Sequence, residues 1–132
     1  MSSAVAGFRE AVESGEIERV PELLAADIVF HSPVTFHPYI GRETVTQLLA
    51  IVFDTFEDFR YTDELQMEGG HALIFRTAVE GREIEGIDIF RLDDDGLIAD
   101  FTVLLRPMSG LVPFAQQMAE KVGAIGLETT RA

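Results

Sequence analysis

The spacing of apolar residues changes from helical to alternating after Phe56, and this change constrains the fold more than any other feature. From there to Pro107, apolar residues occupy every second position, as in strands with one buried face. Turn signals at Gly69-Gly70, Glu80-Gly81 and Asp93–Gly96 divide this region. The pattern predicts four strands in an antiparallel meander. One strand face, with Asp63 as an exception, would carry Phe59, Tyr61, Leu65, Met67, Leu73, Phe75, Thr77, Val79, Ile84, Gly86, Asp88, Phe90, Leu92, Phe101, Val103 and Leu105.

The amino-terminal part of the chain predicts two helices. Ser2 or Ser3 can cap a first helix, and Gly15 can end it in the left-handed conformation. A second, short helix is predicted over Ile17–Ala26, with its regular part starting near Val20 because a proline follows. The apolar stripe of the first helix would consist of Val5, Phe8 and Val12.

A strand, a loop and two further helices complete the prediction. The strand covers Asp27–Val34 and the loop covers Thr35–Gly41. The last helix is predicted over Leu111–Val122, with Ser109-Gly110 as its cap. The helix between loop and meander has one continuous apolar face made of Val45, Leu48, Leu49, Val52 and Phe56.

This order of elements predicts one α+β domain over residues 1–132, with helices packed on one face of a curved sheet. A hydrophobic fraction of 47% is typical of a packed globule. The absence of cysteine excludes disulfides, thiolate metal sites and a cysteine nucleophile. With 10 Lys and Arg against 23 Asp and Glu, binding to nucleic acid or to an anionic membrane is not expected.

The amino-terminal residues contain neither a basic segment nor a long apolar run, so no secretory signal is predicted. No apolar run approaches the roughly 20 residues of a membrane-spanning helix. We therefore expect a soluble, cytoplasmic protein.

The opposite face of the predicted sheet is half apolar. A face of an antiparallel sheet that meets solvent is normally polar. We therefore expect this face to pack on a second subunit in a homodimer. Its residues are Ile74, Ile87, Ile89 and Leu104, mixed with Arg76, Arg91, Thr102 and Arg106.

Asp88 is the most informative residue for function. It lies in the segment GIDIFRL and shares its strand face with Ile84 and Phe90. A carboxyl in an apolar interior has a raised pKa and can act as an acid, a base or a neutral hydrogen-bond donor. The alternative is a structural aspartate held by a backbone amide or an arginine.

His31, Ser32 and His37 are weaker candidates at the end of the first predicted strand. His31 and His37 lack a third ligand at a metal-binding spacing, so we predict no metal site. The run Asp93–Gly96 lacks the spacing of a calcium loop and is interpreted as a hairpin turn. Any chemistry would then be cofactor-independent acid/base work.

The segments IVFHSPV, GRETV and GIDIFRLDDDGLIADF, in this order, resemble SnoaL-like members of the nuclear transport factor 2-like superfamily. The resemblance extends from Val5 to Pro107 and includes ketosteroid isomerases and SnoaL-type polyketide cyclases. It implies a cone-shaped α/β roll of the cystatin-like type, in which a curved antiparallel sheet wraps around three to four helices. It also implies an apolar pocket and dimerisation through the sheet.

The resemblance assigns roles to individual positions. Asp88 is similar to the carboxylic acid that donates a hydrogen bond to the oxyanion in ketosteroid isomerases. SnoaL-type cyclases are thought to use an acidic residue of the same strand as acid/base. The position of the isomerase's general base is Ser32, that of its oxyanion tyrosine is Phe8, and that of a supporting tyrosine is near Leu49.

Two functions follow from the resemblance. One is a cyclase or isomerase that uses Asp88 on a small hydrophobic carbonyl compound. Ser32, His31 or His37 would then orient the substrate or relay a proton. The other is a non-catalytic module that holds an apolar metabolite or a partner protein. The same residues could also form a filled core. The expected pocket residues are Phe8, Phe30, Ser32, Leu49, Phe75, Asp88, Phe90, Phe101 and Val103.

Overall fold

The alternating half of the chain forms four neighbouring strands of one six-stranded sheet. This is seen in a computed structural model that describes residues 2–127. The sheet order is β2-β1-β6-β5-β4-β3, and β3 to β6 pair antiparallel as the meander predicts. The strands are β1 Leu24–His31, β2 Tyr39–Ile40, β3 Glu57–Met67, β4 Gly70–Val79, β5 Arg82–Leu92 and β6 Ile98–Arg106.

The helices are α1 (Ser3–Ser14), α2 (Arg42–Thr55) and α3 (Met108–Ile125). The Ser2 hydroxyl caps α1 by accepting a hydrogen bond from the Val5 amide, and Gly15 ends the helix at φ 75°. Both features confirm the prediction. The apolar side chains of α2 and α3 are buried against the sheet, so the α+β class and the curved sheet around helices are confirmed.

The predicted helix over Ile17–Ala26 is wrong. The segment forms two single 3₁₀ turns, Ile17–Arg19 and Pro21–Leu23, and Leu24 already begins β1. β1 runs parallel to β6, with Leu24 opposite Ile98, whereas an entirely antiparallel sheet was expected. The buried pairing with β6 outweighs the high intrinsic helix propensity of the Leu-Ala-Ala segment.

The strand predicted to end at Val34 ends at His31. The loop predicted over Thr35–Gly41 contains the short edge strand β2, which pairs with Val29 and Phe30. The end of β1 and the presence of β2 both depend on backbone pairing between strands, which the pattern of residues along one strand does not predict.

The last helix begins at Met108, so Ser109-Gly110 is not its cap. Gly110 instead lies inside α3 at a close contact with β5. A Cβ on Gly110 would overlap Ile84 Cγ1 and would lie 2.9 Å from the backbone oxygen of Glu83. The glycine therefore fixes the first turn of α3 directly on the sheet.

A β-bulge in β3 corrects one part of the predicted strand face. Tyr61 lies opposite Phe75, but Asp63 lies opposite Ile74, so the register shifts by one residue between them. The shift turns the following residues to the other face. Leu65, which was expected to point inward, is therefore 48% exposed.

Gly86 gives the core its shape next to the candidate site. The ring of Phe75 lies across Gly86, so a Cβ there would overlap Phe75 and approach Leu105 Cδ2 to 2.7 Å. We expect Gly86→Ala to lower the free energy of unfolding by about 1–3 kcal/mol, because overpacking forces neighbouring side chains from their rotamers. Urea denaturation measures this change.

Gly123→Ala is the matched control, since nothing lies within 4 Å of the Cβ position in that helical residue. We expect it to be neutral or to stabilise by up to about 1 kcal/mol. Equal effects of the two substitutions would contradict the close packing at Gly86.

Candidate functional site

Asp88 lies at the centre of the sheet on the face that meets the helices. It pairs with Leu73 of β4 on one side and with Val103 of β6 on the other. Only 3% of its surface is exposed, and both strand neighbours are buried. Alternation along β5 therefore places a carboxyl inside the apolar interior, as predicted.

Tyr61 of β3 reaches across β4 to this carboxyl. Its hydroxyl donates a hydrogen bond to Asp88 Oδ2 over 3.3 Å. Among residues 2–127, this hydroxyl is the one side-chain partner of Asp88. The distance is long for a bond between two oxygen atoms, so the bond stabilises a charged carboxylate only modestly.

Burial raises the pKa of Asp88 from 3.8 to about 8, and the hydrogen bond from Tyr61 offsets a smaller part of that rise. Burial and the neighbouring carboxyl also raise the pKa of Tyr61 well above its usual range. The site therefore holds a neutral carboxylic acid and a neutral phenol at pH 7. Both groups can donate a hydrogen bond.

Aromatic rings pack around Tyr61, the hydrogen-bond partner of Asp88. The Tyr61 ring meets Phe59 edge to face at a centroid distance of 4.9 Å, and Phe59 stacks on Phe75 at 4.8 Å. On the solvent side, the Arg9 guanidinium lies 5.5 Å from the centroid of the Tyr61 ring. Arg9 is itself paired with Glu13 and Glu64.

A small cavity of about 20 Å³ lies on the same side of the sheet, and neither Asp88 nor Tyr61 is among its lining residues. Val103, the strand neighbour of Asp88, forms part of its wall. A volume of this size holds about one water molecule. The lining residues are Phe30, Ser32, Pro33, Leu48, Val52, Val103, Phe114 and Met118.

Three of the predicted pocket residues, Phe30, Ser32 and Val103, line this cavity. The other predicted aromatic positions form a packed cluster beside it, with Phe8 at 5.0 Å from Phe90 and 5.3 Å from Phe101. Five predicted pocket residues are thus fully buried core residues: Phe8, Leu49, Phe75, Phe90 and Phe101. A ligand-sized pocket stays a prediction.

The two histidines lie away from Asp88. The residue before His31, Phe30, points inward, so His31 points to the outer face, where its Nε2 lies 3.0 Å from Asp100 Oδ2. His37 is exposed in the loop between β1 and β2. Ser32 reaches the cavity, and its hydroxyl accepts a hydrogen bond from the Val34 amide at 3.0 Å.

The outer sheet face has a shallow apolar groove of about 330 Å³. Leu104, 52% exposed, stands in it beside an ion cluster in which Glu85 pairs with Arg76 and Arg106, each at 3.0 Å. The groove residues are Ile74, Glu85, Gly86, Ile87, Leu104, Leu105 and Arg106.

Residues 2–127 contain no cluster of three or more histidine, aspartate or glutamate side chains arranged to hold a metal ion. Within the same range, no helix has the length and apolar character needed to cross a membrane.

The comparisons with known proteins agree with this architecture. Residues 5–101 match the model of the SnoaL-like domain. A steroid delta-isomerase from Pseudomonas aeruginosa is 35% identical, with a TM-score of 0.89, and the match covers 96% of this chain and 93% of that protein. An uncharacterized protein with a cystatin-like fold from Silicibacter pomeroyi is 29% identical, with a TM-score of 0.90, over 96% and 89% of the chains.

The chain therefore belongs to the SnoaL-like family, and its fold is the cystatin-like, nuclear transport factor 2-like roll. A more distant structure shares the fold at 13% identity, with a TM-score of 0.64, over 86% and 92% of the chains. It is a protein with a ketosteroid isomerase-like fold from Catenulispora acidiphila in complex with trimethylamine. No curated protein matches the chain.

Three side chains of the site were not predicted from the sequence: Tyr61, Phe114 and Met118. Tyr61 was placed on the inward face, but its bond to Asp88 crosses an intervening strand. Phe114 and Met118 lie within the predicted last helix, but helical spacing does not indicate which part of the sheet they cover. Tyr61 could have been singled out from the sequence, because the chain has only 2 tyrosines and this one lies on a strand face that is otherwise mostly apolar.

The buried carboxyl predicts a specific pH dependence of stability. The unfolded chain loses the Asp88 proton near pH 3.8, whereas the folded protein keeps it to about pH 8. The contribution of this group to stability is thus fully present below 3.8 and is lost as the pH rises through 8. The slope is at most about 1.4 kcal/mol per pH unit.

We therefore expect Asp88→Asn to become progressively more stable relative to the original chain between pH 5 and 8. Urea denaturation at each pH gives this difference, and Asp100→Asn, which changes a half-exposed carboxylate, is the control. A difference that stays constant over this range would show that Asp88 is ionised in the folded protein.

Proposed function

We propose that this protein binds a small, uncharged, hydrophobic carbonyl compound in its interior and that Asp88 acts as the acid toward the carbonyl oxygen. The observation that carries the proposal is a fully buried carboxyl whose one side-chain partner among residues 2–127 is the Tyr61 hydroxyl. The aromatic surroundings suit an apolar ligand, and a few convergent polar groups fix its orientation.

The proposed step is the transfer of a proton from the neutral Asp88 carboxyl to the carbonyl oxygen. A solvent water molecule takes a proton from the carbon next to the carbonyl and later returns it to carbon, and the Asp88 proton meets the negative charge that develops on the oxygen. Tyr61 stays bonded to Oδ2 and leaves the other carboxyl oxygen to face the ligand. When the proton returns to carbon, the oxygen gives its proton back to Asp88.

Two further observations support carbonyl chemistry. The cavity wall includes Val103, the strand neighbour of Asp88, so a ligand placed there lies on the side of the carboxyl. The Pseudomonas aeruginosa relative is a steroid delta-isomerase by name, and this chain matches it along nearly its whole length.

A binding module without turnover is the second candidate. None of the cavity-lining residues is titratable, and Ser32 is their one side-chain hydroxyl. A serine hydroxyl is too weak a base at neutral pH without an activating partner. In this case the same neutral Asp88 would hold the carbonyl oxygen of a metabolite by a hydrogen bond.

The reaction of 3-cyclohexenone to its conjugated isomer tests the proposal, because the product absorbs in the ultraviolet. We expect Asp88→Asn to lower kcat by about 100-fold or more, which is the usual effect of a general acid. We also expect the rate to fall as the pH rises through about 8, where Asp88 loses its proton.

Asp100→Asn is the matched control and should retain the original rate, because Asp100 lies half exposed beside His31. An unchanged rate in Asp88→Asn would exclude Asp88 as the acid. The binding module would be identified by two results together. The original chain would bind 2-cyclohexenone without turning over 3-cyclohexenone, and Asp88→Asn would bind 2-cyclohexenone more weakly.

We also propose that the outer sheet face forms a homodimer. The groove beside Leu104 exposes apolar side chains and is bordered by the Glu85 ion cluster. Self-association through one face pairs the same patch of both subunits about a two-fold axis. The charged border is then able to fix the register of the two sheets.

Leu104→Glu tests the dimer, because it places a charge in the groove. We expect the mass in solution, measured by light scattering at micromolar concentration, to fall from twice the chain mass to the chain mass of 14.6 kDa. Val112→Glu changes a residue of similar exposure on α3, 46% against 52%, and should leave the dimer intact. A monomeric original chain would contradict the proposal.

A further inference from the structure

The cavity near Asp88 is too small for the ligand class proposed above, so access requires a wall to move. Phe30 and Val103 of the strands and Leu48 and Val52 of α2 form part of the wall. The rest consists of Ser32 and Pro33, which follow β1, and of Phe114 and Met118 of α3, whose side chains also belong to the hydrophobic core. This helix is the last element of the described chain and carries features of a hinge.

Pro113 interrupts α3 after its first turn. A proline inside a helix cannot donate a hydrogen bond to the carbonyl four residues earlier, here that of Ser109. Kinks in helices occur at such positions. Before the proline, Gly110 packs directly on Ile84 and Glu83 of β5. The helix is therefore fixed to the sheet on one side of Pro113, and both cavity-lining residues lie on the other side.

Buried apolar side chains and polar contacts near the surface hold the part of α3 beyond Pro113. Lys121 Nζ donates a hydrogen bond to Thr55 Oγ1 at 2.9 Å and lies 3.5 Å from an Asp54 oxygen. Gln117 Nε2 donates a hydrogen bond to Glu80 Oε2 at 2.8 Å. Contacts of this kind at the surface are individually weak.

We propose that residues 114–125 of α3 form a lid that turns at Pro113 and admits the ligand to the space beside Asp88. When the lid opens, Phe114 and Met118 leave the cavity wall, and the apolar body of the ligand replaces their contacts. Lys121 acts as a latch between the lid and the end of α2. The inference rests on the proposed function for the ligand, but the opening itself is a property of the free protein.

Two variants shift the opening in opposite directions. Lys121→Ala removes the latch, and Pro113→Ala restores the missing backbone hydrogen bond of α3. The probe is 2-acetylnaphthalene, an uncharged aromatic ketone larger than the closed cavity. In stopped-flow binding, we expect the association rate constant to rise about threefold in Lys121→Ala, in line with a weak exposed contact, and to fall about threefold in Pro113→Ala.

Arg60→Ala is the control, because this exposed side chain contacts the backbone oxygen of Asp58 and lies on β3, away from α3. Equal association rate constants in all four proteins would overturn the lid.

Hydrogen exchange of the free protein separates the lid from the proposed function. We expect Lys121→Ala to accelerate amide exchange about threefold in residues 114–122 and to leave α1, residues 3–14, unchanged. If the exchange accelerates but the protein binds no ketone, the proposed lid is supported and the proposed ligand is contradicted. Unchanged exchange in residues 114–122 would overturn the lid even if the ketone binds.

Discussion

The burial of one carboxyl in an apolar interior is the constraint on which the candidate site depends. An ionised carboxylate in such surroundings would need several donors, and among residues 2–127 the long bond from Tyr61 is the one that a side chain supplies to Asp88. The pKa of Asp88 therefore rises to about 8, and the group stays protonated at neutral pH. Its capacity to donate a hydrogen bond follows from the apolar packing, because the same core residues that stabilise the fold keep the carboxyl protonated.

The sheet supplies the position of this carboxyl, and the helices supply its surroundings. Alternation along β5 points Asp88 inward, and the absence of a side chain at Gly86 allows the ring of Phe75 to lie across the strand. The side chains of α1, α2 and α3 then close the interior, with α3 covering the side of Val103. The same packing that raises the pKa also leaves little space for a ligand, which is why we propose that α3 opens to admit one.

The periodic features of the sequence predicted most of the fold. Alternation placed Asp88 on the inward face, and the apolar spacing of α2 matched the helix. The sequence pattern could not predict the hydrogen bond between Tyr61 and Asp88. This bond crosses the strand between them and depends on the register of three strands. Local preference also failed at Leu24, where parallel pairing with β6 decides the conformation, and at Leu65, where a bulge reverses the face.

Carbon-detected NMR of the Asp88 side-chain carboxyl gives its pKa in the folded protein and decides whether the buried group is protonated at neutral pH. We expect a value near 8, and a further rise in Tyr61→Phe, because the tyrosine hydrogen bond stabilises the ionised form. Asp100 can be followed in the same spectra as an internal comparison. A value for Asp88 near or below the ordinary 3.8 would contradict the account, since the carboxyl would then be ionised and held by a partner that the structure does not contain among residues 2–127.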